Sequence, residues 1–165
     1  MPELPEVETT IRGLKPLVGL SILNIKINTP KLRFLIPKNI KLIKKNIIIQ
    51  AIKRRGKFII IHLVNDFSIV LHLGMSGRLR LFRTIKFDQE KHDHFILTTN
   101  KEYLLVFNDP RRFGFIDYDK TYKIYKRKYI AHLGLEALRD QLTGFWLFSK
   151  ISKTTVPIKQ ILLNQ

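Results

Sequence analysis

The chain has 165 residues, 45% of them hydrophobic, which is enough to build the core of one ordinary domain. Its 30 Lys and Arg residues outnumber its 13 Asp and Glu residues, and the formal net charge of +17 favours a polyanionic partner. The absence of cysteine excludes disulfides, a thiolate nucleophile and thiolate metal sites. No signal-peptide pattern is present, so we expect a cytoplasmic protein.

Membrane lipid is the rival polyanion. However, no apolar run approaches the ~20 residues that a spanning helix needs, and no basic amphipathic helix dominates the chain. Nucleic acid is therefore the preferred partner. An AT-rich genome would also raise the Lys, Ile and Asn content, so charge alone does not decide the question.

The first predicted element is a helix. Pro5 suits its first turn, Val7 and Ile11 recur at helical spacing, and Gly13 and Pro16 end it. Segments rich in β-branched and other apolar residues follow and predict a set of about eight strands, drawn from nine candidate regions: 20–27, 32–36, 47–52, 58–64, 68–73, 78–82, 94–99, 103–107 and 115–118. The predicted fold is mainly β with helices: a two-layer β-sandwich with an N-terminal helix, followed by a short helical C-terminal stub.

The predicted domain boundary is a Lys-rich segment with interleaved Tyr, residues 120–130, which we interpret as a solvated basic linker. Residues 1–119 would form the β-sandwich domain, and residues 131–165 the start of a helical one. Within that second region, apolar residues predict helices around 133–138, 145–151 and 159–165, with a break at Gly144.

The amino-terminal residues form the first candidate site. If Met1 is trimmed, Pro2 carries a free secondary amine, and an α-amine has a pKa near ~7.7–8.0, so part of it is unprotonated at neutral pH. Such an amine can attack an aldehyde carbon to give an iminium, and Glu3 beside it can donate or accept a proton. Alternatively, a Met-Pro start is simply unconstrained.

Five segments together resemble formamidopyrimidine-DNA glycosylase, the bacterial base-excision enzyme for oxidised purines. They are PELPEVET at 2–9, RRGK at 54–57, HLGMSGRLR at 72–80, KHDH at 91–94 and NDPRRFG at 108–114. The similarity continues in His132-Leu133-Gly134 and in residues 157–165, which resemble the opening of the family's helix-two-turn-helix region. Leu4 and Val7 favour this family over the related endonuclease VIII type.

The resemblance implies catalytic roles for four residues. Pro2 would attack the deoxyribose C1′, expel the base and leave an iminium, after which the strand is cleaved by elimination, and Glu3 would manage protons at the sugar. Lys57 matches a lysine that assists catalysis near the damaged nucleotide, with a plain phosphate contact as its alternative. Glu6 matches a second acidic residue, which could equally be a partner of the helix dipole.

The resemblance also implies residues that fill the hole left when a base is extruded from the duplex. Met75 would be an unbranched apolar wedge, Arg111 a cation that can hydrogen-bond the orphaned base, and Phe113 an aromatic ring inserted between base steps. From the residues alone, Met75 would be ordinary loop packing and Phe113 ordinary core.

Other positions match contacts to the DNA backbone. His92 matches a phosphate-binding histidine, and Lys153 and Lys159 fall where the family has lysines against the backbone. We reject a metal site at His92 and His94, because no cysteine or further nearby histidine completes a set of ligands. His62 and His72 lie in apolar strands and are interpreted as core histidines with satisfied hydrogen bonds.

The family continues beyond these motifs with a zinc finger of four cysteines, which is absent, so the resemblance implies no cofactor in this chain. We therefore expect a truncated but bifunctional glycosylase and AP lyase of the bacterial cytoplasm, associated with the nucleoid, monomeric, and acting on double-stranded damaged DNA. The alternative is a catalytically weak DNA-binding remnant. A basic RNA-binding or ribosome-associated module fits the charge but leaves PELPE and NDPRRFG unexplained.

Overall fold

The computed structural model describes residues 2–43, 45–84, 86–136 and 142–163, with the side chains of Leu162 and Leu163 excepted. The chain forms two compact units, Met1–Lys126 and Arg127–Gln165. The division between them falls inside the segment predicted as the basic linker, 120–130. Across the described ranges, no helix has the length and apolar character needed to cross a membrane.

The first unit begins with helix α1, Leu4–Gly13, as the sequence predicts. Pro5 lies in its first turn, where a missing N–H costs no hydrogen bond. Val7 and Ile11 are buried on one face and join the main core, so the helix packs on the sheet through a single apolar stripe. Two short 3₁₀ turns, Lys15–Leu17 and Lys38–Leu42, lie on either side of the first strand.

Eight antiparallel strands form one continuous sheet in the order β5-β7-β6-β1-β2-β3-β4-β8. Their bounds are β1 Ser21–Ile27, β2 Ile47–Arg55, β3 Phe58–Leu63, β4 Phe67–His72, β5 Arg78–Arg83, β6 Asp93–Thr99, β7 Tyr103–Asn108 and β8 Phe115–Lys120. Only two residue pairs join β1 to β2, Ser21 with Ile48 and Ile22 with Ile47. The sheet therefore consists of two four-stranded halves with a narrow junction.

The two halves share one core. Phe95, Leu97 and Phe107 from the first half belong to the same buried cluster as Ile61 and Leu71 from the second. Residues of facing layers can meet in this way only if the halves pack face to face. The eight-stranded antiparallel sheet with an N-terminal helix confirms the predicted fold class.

One predicted strand, 32–36, is wrong. Lys31 and Leu35 form only an isolated bridge to each other, and the segment is a loop of the first unit. Both edges of the preceding strand β1 are already paired, with β2 and β6. Pro30 and Pro37 also bracket the segment, and proline cannot donate to a strand ladder.

The predicted linker 120–130 is largely helical. Helix α2, Thr121–Tyr125, ends the first unit and buries Ile124, and α3, Lys128–Ala131, begins the second and buries Ile130. The second unit continues with α4, Gly144–Ile151, and α5, Ile158–Leu163. Gly144 therefore begins a helix, and Thr143 caps it by accepting a hydrogen bond from the Trp146 N–H at 3.1 Å. Of the predicted helix 133–138, residues 133–136 are not helical, and 137–138 lie outside the described residues.

Candidate active site and nucleic-acid interface

The amino-terminal candidate residues lie at the start of α1. Pro2 is half-buried, and Glu3, in extended backbone, is the N-cap residue of the helix. The Glu6 carboxylate accepts a hydrogen bond from the Glu3 backbone N–H at 3.0 Å, which is one half of a capping box. In the other half, the Glu3 side chain accepts from the Glu6 backbone N–H, so the box holds both the backbone and the carboxylate of Glu3 next to Pro2.

Lys57 reaches this end of the helix from the neighbouring hairpin. Gly56 and Lys57 form the two-residue turn between β2 and β3, and Gly56 adopts a φ of +55°, which glycine accepts without strain. The Lys57 Nζ lies 3.3 Å from one carboxylate oxygen of Glu3 and 3.5 Å from the other. The lysine side chain is 17% exposed and the glutamate side chain 52%, so the pair opens to solvent on the glutamate side.

A second ion pair attaches α1 to the same hairpin. The Arg54 Nε donates to a Glu8 carboxylate oxygen at 2.9 Å, and another guanidinium nitrogen of Arg54 donates to the Gly56 carbonyl at 3.1 Å. The Arg54 side chain is almost fully buried. Sequence reasoning missed this pair, although RRGK contains Arg54. Its effect is to hold the turn that carries Lys57 against the helix that carries Glu3.

The void-filling candidates lie on two loops that touch through their backbones. The Met75 loop, residues 74–77, follows β4, and the Arg111 loop, residues 109–114, precedes β8. Gly74 has a φ of +63°, and a Cβ there would lie 2.4 Å from the Phe113 carbonyl carbon. Gly114 is equally confined, because its Cβ would lie 2.6 Å from the His72 oxygen. Only glycine permits this approach.

A buried carboxylate joins these loops. The Asp109 side chain is fully buried; one of its oxygens accepts from the Ser76 hydroxyl at 2.6 Å and the other from the Gly114 N–H at 2.8 Å. The Ser76 oxygen in turn accepts from the Arg111 backbone N–H at 3.3 Å. Asp109 was not among the predicted site residues. The available signal was an Asp placed directly after an apolar strand and before Pro110, which is typical of a residue that bonds its own loop.

The side chains that these loops present are exposed. Met75 is 46% exposed and Phe113 42%, which contradicts an assignment of Phe113 to the core. The Arg111 guanidinium lies over the Phe113 ring, 4.6 Å from its centroid. A cation stacked on an aromatic face is held in place without using its hydrogen-bond donors. The structure therefore brings Met75, Arg111 and Phe113 onto one pair of adjoining loops.

His72 lies between the Lys57 turn and these loops. Cross-strand pairing places Phe58, His72 and Phe115 in one row across β3, β4 and β8. The His72 ring stacks on Phe115, with centroids 5.5 Å apart, and meets the Phe58 ring at a tilt of 44°, with centroids 4.9 Å apart. Its Nδ1 accepts the Gly74 N–H at 3.1 Å, as expected of a satisfied histidine. Burial lowers the pKa of His72, and the Lys57 cation lowers it further, so the neutral ring is favoured.

His92 and His94 differ in environment. His94 is buried, with one ring nitrogen 2.9 Å from the Thr29 hydroxyl oxygen and the other 2.9 Å from the Asp109 carbonyl oxygen. His92 is half-exposed, and its carbonyl accepts from the Asp109 N–H at 3.0 Å, which ties it to the Arg111 loop. Within the described ranges, no three His, Asp or Glu side chains gather in a way that could bind a metal ion.

A polar cluster supports the segment that carries His92. The buried Asp93 carboxylate accepts from the Arg80 guanidinium at 2.6 Å and from the Asn108 amide at 2.8 Å. Its second oxygen accepts from the Glu90 backbone N–H at 2.8 Å. Sequence reasoning missed this cluster, because its members come from three separate segments.

The remaining predicted residues belong to the second unit. Lys153 follows α4 and Lys159 lies in α5, and both are exposed. Their exposure leaves both ammonium groups accessible to an anion. Their contact with DNA stays a prediction.

The fold of this chain is similar to that of a solved structure. Formamidopyrimidine-DNA glycosylase from Lactococcus lactis, bound non-covalently to DNA containing an abasic site, superposes with a TM-score of 0.83 at 32% identity. The match covers 98% of this chain and 62% of that protein. The fold is therefore that of the N-terminal part of a DNA glycosylase.

Sequence comparison identifies the family. The family described as formamidopyrimidine-DNA glycosylase N-terminal domain matches residues 1–116, and the chain belongs to it. The formamidopyrimidine-DNA glycosylase of Zymomonas mobilis is 41% identical over 168 residues and that of Legionella pneumophila 40% over 166 residues, covering 100% and 99% of this chain. The chain spans about 60% of the length of these curated relatives. The resemblance predicted from the five motifs is thus confirmed.

Proposed function

We propose that this chain acts in base-excision repair, as a glycosylase and AP lyase on oxidised purines in double-stranded DNA. The observation that carries the proposal is the Lys57–Glu3 pair, 3.3 Å apart, beside the amine position of Pro2. The named activity of the relatives supports the same assignment. The chain would act as a cytoplasmic monomer on nucleoid DNA, without a cofactor.

The chemistry begins with the nitrogen lone pair of Pro2. It forms a bond to C1′ of the damaged nucleotide, while the C1′–base bond breaks and its electron pair leaves with the base, which takes a proton. The Pro2 nitrogen then loses its N–H proton, the sugar ring oxygen takes a proton, and the C1′–O4′ bond breaks as the nitrogen lone pair forms the iminium. Loss of a proton from C2′ expels the 3′-phosphate and cleaves the strand.

Glu3 is the residue placed to move protons at the sugar. Its backbone is fixed by Glu6, and its side chain is half-exposed beside Pro2. Lys57 has two uses in this arrangement. It keeps a positive charge at the carboxylate, and it is close enough to the same site to contact the phosphate next to the damaged nucleotide.

Met75, Arg111 and Phe113 would occupy the duplex once the damaged nucleotide has left the stack. Extrusion of a nucleotide removes stacking on both sides of the gap, and apolar side chains inserted there replace part of it. All three side chains are exposed on loops that Asp109 and two glycines hold together. Preformed loops lower the ordering cost of binding.

Borohydride trapping tests the proposal. A duplex with an abasic site or 8-oxoguanine, incubated with the chain and borohydride, should give a covalent adduct that contains the Pro2 nitrogen. Glu3→Gln and Lys57→Ala should lower the yield at least tenfold. Glu102→Gln is the control, because it removes an exposed carboxylate in the turn between β6 and β7, outside the predicted site, and should retain most of the yield.

The form of the N-terminus is measured in the same samples by mass spectrometry. Retained Met1 would place the Pro2 nitrogen in an amide and prevent the reaction. An absent adduct from a sample that begins at Pro2 would contradict the catalytic proposal. Salt-sensitive duplex binding without strand cleavage would instead support the DNA-binding remnant.

A further inference from the structure

The loop between β1 and the second 3₁₀ turn presents exposed side chains, and the residues at its base are buried in the core. We call residues 31–35 the Arg33 loop. Leu32 and Ile36 are buried in the main core, and the Ile36 N–H donates to the Pro30 carbonyl at 2.9 Å, which closes the base. The tip therefore cannot fold back to bury its own residues.

Two apolar side chains remain exposed at this tip. Phe34 is 56% exposed and Leu35 71%. The Phe34 ring meets Phe115 only edge to face, with centroids 5.7 Å apart and planes at 69°. Arg33 lies over the Phe34 ring, 5.5 Å from its centroid. Large apolar groups kept exposed on a loop whose base is anchored in the core are typical of a contact surface.

The Arg33 loop adjoins the Arg111 loop. The Arg33 backbone N–H donates to the Gly114 carbonyl at 3.1 Å. The same two chemical groups recur on each loop: Arg33 with Phe34 at 5.5 Å, and Arg111 with Phe113 at 4.6 Å. The surface proposed to enter DNA is therefore continuous, through a backbone hydrogen bond, with a second exposed Arg–Phe pair.

Charge favours a nucleic acid over a protein as the occupant. Between Glu8 and Asp66 the sequence contains no acidic residue, but it contains 13 Lys and Arg residues. Lys31 and Arg33 are exposed within this stretch. Guanidinium groups pair with phosphate oxygens, and aromatic rings pack on bases regardless of sequence.

We propose that the Arg33 loop is a second DNA-contacting element, with Arg33 on a backbone phosphate and Phe34 against the nucleotide next to the one that the Arg111 loop contacts. This proposal rests on the proposed function, because it takes the Arg111 loop to be a DNA surface. It adds a positioning role outside the reaction centre: the loop would set how the duplex lies when Met75 and Phe113 enter it.

The test measures the affinity of the chain for a duplex that contains a tetrahydrofuran abasic-site analogue, by fluorescence anisotropy over a range of salt concentrations. Arg33→Ala should weaken binding and reduce the slope of log K against log salt by about 0.9, the value for one lost phosphate contact. Phe34→Ala should weaken binding about 5-fold or more, as expected for the loss of one stacked base, and leave that slope unchanged.

Arg83→Ala is the matched control. Arg83 also lies over an aromatic ring, 6.0 Å from the Tyr103 centroid, but it is at the end of β5 remote from the Arg111 loop. It should change neither the affinity beyond twofold nor the slope. Arg33→Gln and Phe34→Leu keep much of the side-chain volume, and they replace the alanine variants if thermal unfolding shows a loss of folding.

Three results would overturn the proposal. If the Arg33 and Phe34 variants bind the duplex like the Arg83 variant, while the wild-type chain still gives the borohydride adduct, only this inference fails. If Arg33→Ala and Phe34→Ala change the oligomeric state but not DNA affinity, the tip is instead a contact between copies. A wild-type chain that neither binds the duplex nor gives the adduct contradicts both proposals.

Discussion

Replacement of Asp109 tests whether one buried carboxylate holds the Met75 loop and the Arg111 loop together. In Asp109→Ala, the Ser76 hydroxyl and the Gly114 N–H both lose an acceptor. Each hydrogen bond to a charged group contributes about 1.5–3 kcal/mol, so the two set a range of about 3–6 kcal/mol. Ser76 is half-buried and can turn to water, and removal of a buried charge recovers desolvation energy. We therefore expect the lower end, about 3 kcal/mol.

Asp109→Asn separates the hydrogen bonds from the charge. The amide oxygen can still accept from the Gly114 N–H, and the amide nitrogen can donate to the Ser76 oxygen. The expected cost is about 1 kcal/mol, the difference between a charged and a neutral hydrogen bond. Asp88→Ala removes an exposed carboxylate and should stay within about 0.5 kcal/mol of the wild type.

Thermal unfolding followed by circular dichroism measures these differences. At about 2–4 °C per kcal/mol, the midpoint should fall by about 6–12 °C in Asp109→Ala and about 2–4 °C in Asp109→Asn. Duplex affinity should fall in the same order, because Met75 and Arg111 lose their fixed positions. If Asp109→Ala unfolds within 1 °C of the wild type, or if the asparagine variant is as unstable as the alanine one, this account of the loops is wrong.

Three further substitutions test other parts of the first unit. Gly74→Ala should destabilise by more than about 2 kcal/mol, because its φ is +63° and its Cβ would meet the Phe113 backbone at 2.4 Å, whereas Gly13→Ala has open space and should be neutral or stabilising. Arg54→Ala leaves Glu8 without its buried partner and should cost about 2 kcal/mol, whereas the exposed Arg12, 3.6 Å from the same Glu8, should contribute under about 0.5 kcal/mol. Burial lowers the pKa of His62 below its usual value of 6.5. The unfolded chain therefore binds a proton that the folded chain does not, so stability is full above about pH 6.5, falls as the pH drops towards the folded pKa, and should fall less in His62→Gln.

The free energy of unfolding in urea checks these three predictions, and for each one a specific result would contradict it. Equal stability of Gly74→Ala and Gly13→Ala would mean that the loops separate readily. If Arg54→Ala and Arg12→Ala lose the same stability, the buried Arg54–Glu8 pair is not what holds helix α1 against the hairpin. If His62→Gln loses as much stability between pH 7.5 and pH 5 as the wild type does, groups other than His62 cause the acid sensitivity.

Local pattern predicted most of this fold. β3 and β4 appear as apolar runs because both faces are covered, and α1 appears from a single stripe that includes Val7 and Ile11. The segment 32–36 has the composition of a strand and failed, because pairing depends on a free partner edge that the sequence of the segment does not contain. Helices α2 and α3 were missed because they are only five and four residues long, which is too short to show a helical repeat.

The candidate site, too, contains residues that local sequence pattern predicted and residues that it missed. Pro2, Lys57, Met75 and the Arg111 loop were predicted through motifs, each of which is local in sequence. Asp109 and Arg54 were missed, because what gives them a role is a partner 33 to 46 residues away, Ser76 and Glu8 respectively. Exposure was misjudged from the residues alone for Phe113, since an aromatic residue near a strand usually belongs to the core.

Sheet register explains why separate motifs converge on one edge of the domain. Lys57 precedes the Phe58 end of β3, the Met75 loop follows the His72 end of β4, and the Arg111 loop precedes the Phe115 end of β8. Because these strands are antiparallel neighbours and Phe58, His72 and Phe115 are direct partners, the three motifs emerge side by side. A slip of one residue in β4 would turn the His72 ring to the other face of the sheet, away from the row that Phe58 and Phe115 share, and remove its hydrogen bond to Gly74. The fully buried β3 opposes such a slip. The packing of the core therefore fixes the spacing between the turn that carries Lys57 and the Met75 and Arg111 loops.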